Sequence, residues 1–256
     1  MQELVSIIMP SYNCGEYIEE TICSVQAQTY NNWEIIFVDD CSTDDTVHMV
    51  QLMQEKDSRI RLFQNEKNSG AAVSRNRALR EAKGHWIAFL DSDDLWEPEK
   101  LEKQVRFMKE SGYTFSYSCY QEIDSDGNLT GVIVSGPKHV TKAGMYAFCW
   151  PGCLTVMYDA TKIGLIQIED IKKNNDYAMW LKVCQKADCY LLDECLAKYR
   201  RGRQGSVSSH GIITMIGWHY KLWHEAEKKN AIAAAYYTCL NLVCGFYKKH
   251  KYVKKV

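Results

Sequence analysis

The chain has no long apolar run, no excess of charge of either sign and no paired-cysteine metal motif, and each absence excludes a class of function. With 31 basic and 32 acidic residues its formal net charge is −1, so no global field steers it to nucleic acid. The apolar run at residues 5–10 is too short to span a bilayer. The start, Met1-Gln2-Glu3-Leu4, lacks the basic opening and apolar stretch of a secretory signal, so the first residues are expected to belong to the fold. No Cys-x-x-Cys pair occurs among the 11 cysteines, which argues against structural zinc. Their odd number and irregular spacing argue against a disulfide framework. Cysteines used as small buried apolar residues suit a reducing compartment, so a cytoplasmic location is expected. There are no repeats and no low-complexity tracts.

What is present is an ordinary globular composition, 46% hydrophobic and 25% charged over 256 residues, enough for one large α/β domain. Apolar strands are expected at residues 5–9, 34–38, 60–63 and 85–90, with helices at 16–28, after Thr43, at 71–82 and after Pro98. This alternation predicts a mostly parallel sheet flanked by helices. In such sheets ligands bind outside the carboxyl ends of the strands, where Asp39, Asp40, Asp91, Asp93 and Asp94 fall. The second half is less regular: strands at 113–120 and 129–134 around an Asp126-Gly127 turn, a strand at 151–158, a helix at 176–186, a strand at 196–200, then helix from Ile212. The division expected is a main domain over residues 1–210, in which residues 1–112 bind the nucleotide and residues 113–210 the acceptor. Residues 211–256 are expected to form a helical extension ending in a basic tail.

Three segments carry chemistry. Asp91-Ser92-Asp93-Asp94 follows an apolar strand and places three carboxylates within four residues. They repel unless a cation neutralises them, and hard divalent ions take oxygen ligands; the bland alternative is a solvated loop capping the helix near Pro98. In Val38-Asp39-Asp40-Cys41-Ser42-Thr43-Asp44-Asp45, capping accounts for Ser42, Thr43 and Asp45 but leaves the Asp39-Asp40 doublet unexplained. Asn68-Ser69-Gly70-Ala71-Ala72-Val73-Ser74-Arg75-Asn76 leads a glycine loop into a helix of small residues, where backbone can approach an anion and Arg75 can contact phosphate. Close helix–sheet packing with surface arginines is the alternative.

Together, Val5-Ser6-Ile7-Ile8-Met9-Pro10-Ser11-Tyr12-Asn13, the VDDCSTDDT run, SGAAVSRN and FLDSDD resemble, in order and spacing, the inverting family-2 glycosyltransferases of the GT-A fold. Among these the chain is most similar to bacterial enzymes that build cell-surface polysaccharides such as teichuronic acid or capsule. The resemblance implies that Pro10, Tyr12 and Asp40 surround the nucleotide base, with Asp39 beside them and Arg75 facing the nucleotide. Asp91 and Asp93 form a DxD motif meeting ribose and metal, and Asp93 or Asp94 holds Mn2+ or Mg2+. Asp176 matches the catalytic base of the family's Glu-Asp pair, while Asn175 replaces the Glu; an N-cap is the alternative for Asp176. Tyr199-Arg200 and Ser206-Val207-Ser208 resemble the loop that closes over the diphosphate, making Arg200, Arg201 and Arg203 candidates there. The Gln-x-x-Arg-Trp motif of processive members is absent, which implies addition of a single sugar.

The implied reaction moves one sugar from a nucleotide-diphosphate donor, UDP being commonest in the family, to a glycan that is lipid-linked. Rival readings are a nucleotidyltransferase, whose Gly-rich basic loop is not found after the first strand, and a non-catalytic nucleotide-sugar binder. Residues 231–247 are apolar but include Thr238, Asn241 and Gly245, and five lysines with no acid follow from Lys248 onward. Two readings stand for this end: a helix lying against the inner face of the plasma membrane, or an ordinary packed helix with a solvated tail.

Overall fold

The computed structural model describes residues 2–202 and 212–255. Its first half runs β1 (Val5–Ser11), α1 (Ile18–Gln26), β2 (Trp33–Asp39), α2 (Thr46–Lys56), β3 (Ile60–Gln64), α3 (Ala71–Glu81) and β4 (Trp86–Phe89). Every residue of β1, β2 and β4 is buried, which is why these strands read as continuous apolar runs. β1 lies between β2 and β4, parallel to both, and β3 lies parallel outside β2. Ile8, Ile36, Val38 and Phe89 face one core, while Ile7, Met9, Ile35 and Phe37 face the other, following the two-residue strand period. The first core packs against Ala78 and Leu79 of α3, the second against Ile18, Ile22 and Val25 of α1.

The second half contains β5 (Leu95–Trp96), α4 (Lys100–Ser111), β6 (Phe115–Ile123), β7 (Leu129–Val134), β8 (His139–Val140), α5 (Lys142–Ala147), β9 (Met157–Asp159), α6 (Ala160–Ile163), α7 (Asn175–Val183), β10 (Cys189–Arg200), α8 (Ile212–Lys221), α9 (Ala231–Lys251) and β11 (Val253–Lys255). β9 is antiparallel to both β4 and β6 and so joins the two halves in one sheet. β10 runs parallel beside β6 with register shifts around Cys195, and ends with Arg200 opposite Ile123. Strand order along the main path is β11-β7-β6-β9-β4-β1-β2-β3. The direction of winding reverses between β1 and β4, so the loops leaving these strands open onto a switch point, where such folds bind ligands.

Several elements depart from the sequence expectation. Residues 153–155 form a short 3-10 turn, closed by the Thr155 hydroxyl donating to Gly152 O at 2.7 Å, so the expected 151–158 strand is only Met157–Asp159. α3 ends at Glu81, ahead of Gly84. Gly84 serves close approach of backbones: a Cβ there would lie 2.5 Å from the Ser6 backbone nitrogen. The Asp126-Gly127 turn forms as expected, with Gly127 at φ +87°. The last residues do not trail in solvent: β11 pairs antiparallel with β7.

Candidate active site

The loops after β1, β2 and β3 are stitched together by the two aspartates that end β2. Ser42 donates from both its hydroxyl and its backbone N–H to Asp39, which closes a turn carrying Cys41 at φ +67°. The same hydroxyl accepts the Asn13 N–H at 2.9 Å. Ser42 is thus spent on the β2 loop and does not cap α2; that helix starts at Thr46, whose N–H and hydroxyl both donate to Asp44. Asp40 accepts from Asn65 Nδ2 (2.8 Å), Ser69 N–H (2.9 Å) and Gly70 N–H (2.7 Å), fixing the turn that opens α3. The doublet that capping leaves unexplained therefore has a structural job: each carboxylate holds a different loop. Pro10 is buried in β1 opposite Val38, and Tyr12, just past that strand, is 44% exposed.

β4 delivers Asp91-Ser92-Asp93-Asp94 beside these loops. Thr21 of α1 donates to Ser92 O at 3.2 Å, and Ser92 Oγ meets Cys14 Sγ at 2.8 Å. Asp94 is buried and accepts the Arg200 N–H at 2.9 Å. Burial, then the charges of Asp93 and Asp91, push its carboxyl well above the usual carboxylate range, against the opposing pull of Arg200. The resemblance puts Arg200 at the diphosphate; in the structure its side chain is 1% exposed and committed elsewhere. Nε donates to Asp93 O (2.9 Å), Nη1 to Ser125 O (2.8 Å) and Nη2 to Glu20 (2.6 Å), and the group lies 4.7 Å from the Tyr17 ring centroid. With every guanidinium nitrogen engaged, Arg200 clasps the acidic loop to α1 and to the β6–β7 turn. Arg203 and Ser206-Val207-Ser208 lie outside the described residues.

Arg75, in α3, joins this loop to α7. Its Nη2 donates to Asp91 at 2.6 Å and its Nη1 to Asn175 Oδ1, the residue before Asp176. Burial works against the guanidinium's charge, but the carboxylates of Asp91 and Asp176 oppose it and keep Arg75 protonated. Nε is buried without a hydrogen-bond partner among the described residues. Asp176 is half-buried in the first turn of α7; the N-cap position belongs to Asn174, so the capping alternative does not apply. Cys153 marks the centre: burial first raises its thiol pKa far above normal, and Arg75, Asp91, Asp176 and Asp94 all act on it. Arg75 of α3, Asp91 of the β4 loop and the first turn of α7 are thus joined by direct hydrogen bonds. Asn175, Asn65 and Glu20 escape sequence reasoning. Only Asn175 leaves a trace, as the departure from Glu-Asp. A hollow of about 500 Å³ lined by Glu97, Glu99, Lys103 and Glu194 contains none of these residues.

The ligand atoms at the acidic loop are hard oxygens, with Asp93 half-buried and Asp94 raised first by burial and then by the charges of Asp93 and Asp91. Among the described residues no three His, Cys, Asp or Glu side chains form a self-sufficient metal site. By the chemistry of its oxygens the loop suits an ion that takes one or two carboxylates and completes its shell with other ligands and water.

The mixed, mostly parallel sheet with helices on both faces has the GT-A fold, as solved structures show. Staphylococcus aureus TarS (residues 1–349), solved with UDP-GlcNAc, superposes with a TM-score of 0.72 at 22% identity, covering 96% of this chain and 73% of that one. The mannosyltransferase PcManGT of Pyrobaculum calidifontis, solved with GDP-Man and Mn2+, gives 0.68 at 16% identity, covering 96% and 76%. Residues 6–146 match Glycosyl transferase family 2. TuaG of Bacillus subtilis (strain 168), whose name assigns it to teichuronic acid biosynthesis as a glycosyltransferase, is 45% identical over 91% of this chain and 92% of its own length. WfaP of Escherichia coli, named a UDP-Glc:alpha-D-GlcNAc-diphosphoundecaprenol beta-1,3-glucosyltransferase, is 43% identical over 84% and 83%. The chain belongs to glycosyl transferase family 2 and is a glycosyltransferase. The nucleotidyltransferase reading finds no support.

Proposed function

We propose that the protein transfers one hexose from a UDP-sugar, with inversion, to a lipid-diphosphate-linked glycan in cell-surface polysaccharide biosynthesis. The observation that carries this reading is Arg75, which donates both to Asp91 of the acidic loop and to Asn175, the residue before Asp176, and so joins the two acidic segments. The name of WfaP supports the direction: a β-linkage made from an α-configured nucleotide sugar is an inversion.

Tyr12 and the loops held by Asp39 and Asp40 frame the base, beside Pro10, and Arg75 with Asp91 faces the ribose and phosphates. Asp93 and Asp94 would hold Mn2+ or Mg2+, which supplies counter-charge for the leaving diphosphate. Arg203 is proposed at the same phosphates. Asp176 accepts the proton of the acceptor hydroxyl as it attacks the anomeric carbon, a step a positioned carboxylate accelerates by roughly 10²–10⁴-fold. Arg75 holds Asn175 and thereby the first turn of α7, so the base and the donor loop share one strut. A single displacement needs no second nucleophile, and holding donor and acceptor in line supplies the rest.

The test uses purified protein, UDP-glucose and other nucleotide sugars, Mn2+ or Mg2+, and a synthetic GlcNAc-diphospholipid, with product configuration read by NMR. Asp176→Asn is expected to lower kcat by roughly 10²–10⁴-fold while donor affinity is kept. Unchanged turnover removes Asp176 as base. A parent that shows no thermal stabilisation by any nucleotide sugar with metal defeats the donor assignment.

A further inference from the structure

α9 has an unusual outer face. Its inner face packs Ala234 and Tyr237 on the core and also buries two polar residues, Thr238 at 4% and Asn241 at 1% exposed. Asn241 accepts from Trp223 Nε1 (3.0 Å) and donates to Ala147 O (2.7 Å) and Tyr177 Oη (3.2 Å). The outer face is apolar: Ile232 is 85%, Tyr236 61%, Val243 67% and Phe246 67% exposed. With Cys239, also exposed, they step by four, three, four and three residues along one stripe. A surface helix ordinarily carries charged or polar residues on its outer face.

We infer that this stripe docks the enzyme on an anionic lipid bilayer, with α9 lying in the plane of the interface. Among the described residues no helix is long and apolar enough to cross a membrane, which leaves an in-plane arrangement for an apolar face of this size. Charge selects the occupant. From Lys228 to Val256 the chain contains no Asp or Glu, and Lys249, Lys251, Lys254 and Lys255 are exposed at the end of the stripe. Two copies packed through this face would crowd these lysines together, whereas anionic headgroups neutralise them. Ile213, Met215 and Ile216 of α8, a helix packed beside α9, are exposed as well. The inner face of α9 rests on α7 through Asn241 and Tyr177, the residue after Asp176. Docking therefore sets the base-bearing helix one layer from the lipid. The docking stands on this surface alone; its use in presenting a lipid-linked acceptor rests on the function proposed above.

The test is flotation of the full chain with phosphatidylglycerol/phosphatidylcholine vesicles, against phosphatidylcholine alone, with no acceptor present. The parent is expected to float with anionic vesicles, less so at high salt. Val243→Ser/Phe246→Ser is expected to lose at least ~10-fold in vesicle partition with unchanged circular dichroism. Should that variant fail to fold, Lys249→Gln/Lys254→Gln/Lys255→Gln carries the test and is expected to lose the preference for anionic vesicles. Failure of the parent to float, or undiminished flotation of the folded variants, overturns the inference. So does a parent dimer that Val243→Ser/Phe246→Ser converts to monomer without any vesicle binding, which would make the stripe a self-interface. None of these readouts depends on glycosyl transfer.

Discussion

Arg75→Met tests whether the crevice is held together as described. The substitution keeps much of the side-chain volume but removes the charge and both donors. Asp91 then loses a 2.6 Å partner while Asp93 and Asp94 remain beside it. A unit-charge pair at ~4 Å is worth about 4 kcal/mol at an effective dielectric near 20. Arg75 is 7% exposed but Asp91 34%, so solvent screens the pair and roughly half that value survives. Against this, Met avoids the cost of burying a guanidinium. The net loss of stability is about 1–2 kcal/mol, which for a domain of this size lowers Tm by roughly 2–8 °C.

Nucleotide binding is expected to suffer more than folding. The crevice loses its buried cation, and α7 loses the strut at Asn175 that steadies Asp176. Calorimetric titration of UDP with Mn2+ is expected to give at least ~10-fold weaker binding, a loss of about 1.4 kcal/mol. Arg75→Lys separates charge from geometry: one ammonium cannot reach Asp91 and Asn175 as a planar fork does. It is expected to recover Tm more fully than UDP affinity. An Arg75→Met protein with parental Tm and parental UDP affinity would refute the claim that this residue organises the site.

Lys100 is fully buried over the Trp96 ring at 3.8 Å, and its Nζ has no hydrogen-bond partner among the described residues. Burial drives its pKa well below 10.5, so the unfolded chain binds the extra proton between the lowered folded value and 10.5, and stability rises with pH across that window. Lys100→Met is expected to raise the denaturation midpoint at pH 7 and to abolish this alkaline rise; an unchanged pH profile would contradict burial of an unpaired amine. Gly84→Ala would press a Cβ to 2.5 Å from Ser6 N and 2.7 Å from Trp86 O, both backbone atoms. Overpacking of this kind costs ~1–3 kcal/mol, and a Tm within a degree of the parent would show that the β1–β4 edge yields without strain.

The parallel half of the fold is legible in the sequence because strands buried on both faces must be apolar along their length, so 5–9, 34–38 and 85–90 stand out against the amphipathic helices between them. The acidic runs after two of these strands are legible in the same way. What sequence reading misses is of two kinds. β5, β8 and β11 are two or three residues long, too short to show a period, and exist because a longer strand offers them an edge. The other kind is long-range partnership: Arg75 with Asn175 is 100 residues apart, and Arg200 with Glu20 is 180. Spacing along the chain carries no trace of such pairs, so the contacts of Arg200 with Glu20 and the Asp93 carbonyl are not legible in the sequence.

Burial divides the aspartates of the crevice into two kinds that look alike in sequence. Asp39, Asp40 and Asp94 are buried and accept backbone N–H groups from Ser42, from Ser69 and Gly70, and from Arg200. Their acceptor capacity goes largely into holding irregular loops whose own amides would otherwise lack partners. Asp91, Asp93 and Asp176 remain half-buried, reachable from the crevice yet close enough to low-dielectric walls for their fields to matter. On the proposed function, carboxylates gathered around one cation must be of both kinds, because carboxylates set on unfastened loops would move apart under their own repulsion. On this view Asp40→Asn and Asp93→Asn fail differently: the first loosens the Gly70 turn and lowers Tm, while the second leaves Tm nearly unchanged and weakens metal-dependent UDP binding.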